Sequence, residues 1–209
     1  MSGILLACGY RACTDGTFDC TTNSGIPDIS HVMGLAPLNK LYAIMLTAYA
    51  FVKQAYVRAY HHRLTGIASP WTNQAMIIYG LMGCMFGPMI GYFDVYYNMT
   101  IHCTVVGLFV VGEVLYVFTM TGVLTACRDQ FPSASQQSGI NTLVSGRMVA
   151  VVLGGITLGA KLFDLNLNPY NSYIEWILFI MSFGLFGVLG NIMPYNAIVV
   201  PQTASKKGN

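Results

Sequence analysis

Glu113 sits in the middle of a long apolar run, Thr100 to Ala126. An ionised carboxylate in hydrocarbon is costly unless something pairs with it, so such a residue asks for a partner or a task. Two basic residues stand in apolar runs of their own, Lys53 and Arg147. Either can reach inward to pair with Glu113, and either can equally run its stem out to the membrane interface. The plainer reading is a structural ion pair, or a protonated Glu113 bonded to a hydroxyl. The functional reading is a proton-linked or lipid-headgroup site around Glu113, Lys53, Arg147 and His102. His102 opens the run that holds Glu113 and reads as an interfacial hydrogen-bonder rather than a metal ligand. His61 and His62 adjoin Arg63 and read as solvated loop residues.

The six cysteines divide by context. Cys84 and Cys103 lie in apolar runs and read as small core residues. Cys13 and Cys20 flank a polar loop, and a disulfide between them is plausible where that loop faces an oxidising compartment. They lack a second pair at zinc-ribbon spacing. The chain carries no P-loop, dinucleotide fingerprint or His-Glu-x-x-His motif. It also lacks a Gly-x-Ser-x-Gly elbow. No catalytic site, cofactor or metal is therefore expected.

Composition says what must position these residues. Hydrophobic residues make up 55% of the 209 and charged residues 9%, against roughly 25% charged in a soluble domain. Too few charges remain to cover a water-facing surface, so lipid is the expected solvent. The net charge of +2 is too small for a nucleic-acid footprint. Five apolar segments are each long enough to span a bilayer: 38–60, 73–93, 100–126, 143–163 and 172–193. None alternates with period two, which disfavours a β-barrel. The expected fold is an all-α polytopic bundle over 37–195, with a polar N-terminal segment 1–36 and a tail 196–209. Tyr and Trp gather at the segment ends, and Trp176 reads as an interfacial anchor. Seven basic residues against three favour an outside N-terminus and an inside C-terminus.

Glycines mark the faces along which helices approach. Gly83, Gly87 and Gly91 recur every fourth residue, and Gly155 and Gly159 do so in the fourth segment. Pro88 is expected to kink its helix. Gly184, Gly187 and Gly190 follow in the fifth. Such stripes serve packing within the chain's own bundle or docking of a foreign helix, and the pattern alone does not separate the two.

Several motifs fall in a familiar order. Gly25-Ile26-Pro27-Asp28-Ile29-Ser30 with Gly34 and Pro37 precedes the first segment. Gly91-Tyr92-Phe93-Asp94 closes the second. His102, Gly107, Gly112 and Tyr116 mark the third, Arg147 lies near the expected start of the fourth, and Glu175-Trp176 opens the fifth. Over roughly residues 25–195 this resembles the damage-regulated autophagy modulator (DRAM) and FRAG-type membrane protein superfamily. That family has six membrane helices, the first ahead of the Pro-x-Ile-Ser loop, and the 24 residues before Gly25 do not supply it. A groove on the bundle is expected in its place. The resemblance implies a non-catalytic membrane protein linked to autophagy, lipid-kinase recruitment or GPI-anchor remodelling.

Two functions follow as expectations. The first is an accessory or scaffold subunit of a larger membrane complex, with other membrane subunits and lipids as partners. The second is a lipid-handling regulator of the DRAM/FRAG type. Composition fits a mitochondrial inner membrane, an endomembrane or the plasma membrane alike.

Overall fold

A computed structural model of the protein describes residues 13–14, 29–94, 96–163 and 170–193, without the surroundings of residues 31, 157–162 and 171. The described residues are helical and contain no β-strand. A short helix α1 (Ile29–Gly34) leads into five long ones: α2 (Leu38–Leu64), α3 (Pro70–Tyr92), α4 (Met99–Ala126), α5 (Ala134–Leu162) and α6 (Asn171–Ile192). Four of these, α3 to α6, are long and apolar enough to cross a membrane. The first long helix falls short of the expected five because Lys40, Lys53, Arg58 and Arg63 all lie on it. Its outer face is nonetheless apolar, with Ile44, Phe51 and Val52 exposed.

Local chemistry sets the helix starts. Ser69 caps α3 by accepting from the Thr72 amide at 3.1 Å, with Pro70 at the first helical position, where its missing N–H costs nothing. Asn98 caps α4 through the Ile101 amide at 3.0 Å. Helix α3 continues through Pro88 to Tyr92. The fourth segment begins at Ala134, nine residues before the expected Leu143. A capping box sets that start. Ser133 Oγ accepts from the Gln136 amide at 3.2 Å, and Gln136 Oε1 accepts from the Ser133 amide at 3.3 Å. Gln136 also donates to the Ile192 carbonyl at 2.9 Å, tying the start of α5 to the end of α6.

The bundle has a tight part and a loose part. Helix α3 packs closely between α2 and α4, while α5 and α6 pack on each other and meet α4 along a sparser seam. The apolar core accordingly forms two clusters. One joins Tyr60, Leu64, Met120, Leu124, Leu143 and Leu189; the other joins Ile29, Tyr42, Leu46, Phe109 and Trp176 at the opposite end. Trp176 is therefore not an interfacial anchor. It is buried against Phe179, with ring centroids 6.5 Å apart.

Candidate functional site: a closed ion pair and the cavity beside it

Between the two core clusters Lys53 of α2 forms an ion pair with Glu113 of α4. Lys53 is 0% exposed and Glu113 3%. Lys53 lies 11 residues inside the end of α2, about three turns, so its stem runs into the bundle instead of out to the interface. Three rings surround its ammonium, with centroids at 5.3 Å (Tyr116), 5.9 Å (Phe186) and 6.0 Å (Tyr49). Ring faces carry negative potential and stabilise a cation.

Glycines on the two facing helices make room for the pair. A Cβ at Gly83 would strike Glu113 Oε1 and lie 2.7 Å from Lys53 Nζ. Gly112, beside Glu113, faces Gly83: a Cβ there would lie 3.0 Å from the Gly83 nitrogen. The stripe on α3 begins one turn earlier than expected, at Gly80, which accommodates Val57 and Tyr116. A Cβ at Gly87 would meet Phe109, and one at Gly91 would lie 2.5 Å from the Ala43 Cα. This stripe is therefore filled by the chain itself. Gly155 meets nothing within 4 Å, nor do Gly184, Gly187 and Gly190. The surroundings of Gly159 lie outside the described residues.

The other expected residues separate. His102 is buried, and its Nδ1 lies 2.7 Å from the Phe93 carbonyl at the end of α3. It thus ties the α3–α4 turn and does not approach Glu113. His61 is half-buried against Asn73, whose side chain donates to the His61 carbonyl at 3.1 Å and to Thr65 at 3.2 Å. Arg147 stands 13 residues into α5, about 20 Å from its start, because the helix begins early. Its guanidinium sits over Phe118 at 5.0 Å, and among the described residues no carboxylate pairs with it. Cys13 is disulfide-bonded, and Cys20 lies outside the described residues. Cys84, Cys103 and Cys127 are free.

A cavity of about 150 Å³ follows the loose seam. Its wall is mostly apolar, from Leu46, Phe109, Val117, Phe179 and Leu185, with Glu113 and Arg147 on one stretch and Ser30, Tyr42 and Glu175 on another. Glu113 thus has two sides, one closed on Lys53 and one bordering the cavity. The Tyr42 hydroxyl is buried there without a hydrogen-bond partner among the described residues. Sequence reading missed the rings around Lys53. Their spacing, Tyr49 one turn before Lys53 and Tyr116 three residues after Glu113, was the available signal.

Fold and site together define an α-helical membrane protein with a charge pair locked in its interior. Comparison with protein-family models, curated proteins and solved structures found no match.

Proposed function

We propose that the chain is a non-catalytic, five-crossing membrane protein that serves as an accessory subunit of a larger membrane assembly. The observation that carries this reading is the division between filled and open glycines. Gly80, Gly83, Gly87 and Gly91 are filled from within the chain. On α6, Tyr173, Ile177, Ile180, Gly184, Gly187 and Asn191 form an exposed stripe at spacings of three and four, with open space at both glycines. Small residues let helix backbones approach closely, so such a stripe suits a foreign transmembrane helix. The ion pair supports the fifth crossing, because pairing removes the main cost of placing α2 in lipid. The distribution of basic residues supports an outside N-terminus. Native electrophoresis of gently solubilised membranes tests the proposal: the chain should migrate in a complex several times its own size, and migration as a free chain would overturn it.

A second reading, a lipid-handling protein of the DRAM/FRAG type, is favoured by the cavity on which Glu113 and Arg147 both border.

A further inference from the structure

Arg147 is half-buried on the wall of the cavity, and among the described residues no carboxylate pairs with it. It stands about 20 Å along α5, with its guanidinium over the Phe118 ring. Glu113 does not serve it, since that carboxylate is already bound to Lys53. A guanidinium at such depth in a membrane protein calls for an anion. The cavity beside it has the shape to deliver one. Along α4 its wall runs from Val106 to Phe118, about 18 Å at about 1.5 Å per residue. That is close to the roughly 15 Å occupied by one leaflet's acyl chains, half the hydrocarbon thickness. A volume of about 150 Å³ drawn out over that length makes a slot, not a chamber. Apart from Glu113, held by Lys53, and Ser182, its walls between the ends are aliphatic and aromatic.

We propose that this slot binds a single acyl chain that ends in an anion, with the anion on Arg147 and the chain running toward Trp176. The anion is a carboxylate or a phosphate monoester, as in a free fatty acid or a single-chain lysophosphatidate. Glu175 borders the opposite end and makes that end unfavourable for an anion. The inference deepens the lipid-handling reading without depending on it, because a structural lipid in an accessory subunit needs the same slot. The accessory reading fails on native migration, a measurement separate from binding.

Trp176 provides the readout. It is buried in the core cluster that includes Tyr42, Leu46 and Phe109, which border the slot. The full chain, carrying Trp71→Phe so that Trp176 is the remaining tryptophan, is placed in phosphatidylcholine nanodiscs. It is titrated with palmitate brominated near its methyl end and with palmitate brominated beside the carboxylate. The first should quench Trp176 saturably and the second much less. Arg147→Gln should weaken binding by roughly tenfold or more, the effect of losing a charge-assisted hydrogen bond. Hexadecanol should compete poorly with the brominated acid, an arm that needs no Arg147 variant to fold. Competition by palmitate against palmitoyl lysophosphatidate identifies the anion. Equal quenching by both bromine positions, competition by hexadecanol as strong as by palmitate, or binding lost in Tyr42→Phe but kept in Arg147→Gln would each overturn the proposal.

Discussion

Lys53 and Glu113, 60 residues apart in sequence, close an ion pair inside the bundle and join α2 to α4 across α3. Removing one partner strands the other in a medium that solvates it poorly. Glu113→Gln or Lys53→Met alone should therefore destabilise the chain by about 3–5 kcal/mol. The double variant Lys53→Met/Glu113→Gln should recover much of that loss, because no full charge remains unpaired. Thermal unfolding in a single detergent, read by circular dichroism, checks both. A Glu113→Gln chain as stable as the parent, but impaired in the cell, would move the pair from structure to function.

Gly83 lies where a methyl group would occupy the carboxylate's position. Gly83→Ala should cost about 1–3 kcal/mol, the range for overpacking a filled interior. Gly187→Ala, in open space on α6, should be neutral or stabilising by about 0.5–1 kcal/mol, the helix preference of alanine over glycine. The same unfolding measurement on the two variants separates them. Equal effects would mean that α3 and α4 do not approach as closely as they do here.

Much of this architecture was readable from patterns with a single physical cause. Long apolar runs with few charges dictate helices in lipid, and the runs ending near Ala126 and Ile192 lie within one or two residues of the observed helices. Glu113 announced itself because a carboxylate in such a run needs an explanation. The choice between Lys53 and Arg147 was not legible, since it depends on which helices neighbour α4, a long-range property. The start of α5 was legible and was missed: Ser133 and Gln136 stand at capping-box spacing. Hydropathy weighting hid it, because Ser135, Gln136, Gln137 and Ser138 read as loop. That one boundary moved Arg147 from near a helix end to its middle. Trp176 was misplaced for a related reason, as tryptophan suits interfaces and cores alike.

Cys103 and Cys127 sit toward opposite ends of α4, 24 residues or about 36 Å apart. They provide a measurement of sidedness. With the N-terminus outside, an impermeant maleimide added to right-side-out vesicles should leave Cys127 unlabelled until the membrane is opened. Burial pushes the Cys127 thiol upward, against a smaller opposing contribution from its own backbone amide. The thiolate is the reacting form, so less of it exists at neutral pH than for a free cysteine. Labelling after opening should therefore quicken as pH rises and level off at a higher pH than the roughly 8.5 of a free thiol. Labelling of Cys127 in sealed vesicles would reverse the assignment of sides.

The exposed stripe on α6 offers the sharpest test of assembly. Gly184 and Gly187 meet nothing within 4 Å, so a leucine at either has room within the chain. Gly184→Leu and Gly187→Leu should thus fold like the parent, with unfolding temperatures unchanged or raised. A helix docked through those glycines would be held off by the larger side chains, since close backbone approach is what small residues permit. Both variants should drop out of the large complex on native electrophoresis while their membrane insertion persists. Leucine on the α5 side, at Gly155, serves as a comparison, because that glycine is also open but belongs to a different helix. Loss of assembly confined to the α6 variants would place the partner on α6. Retention of the complex by all three would mean that these faces meet only lipid, and that any partner binds elsewhere on the bundle.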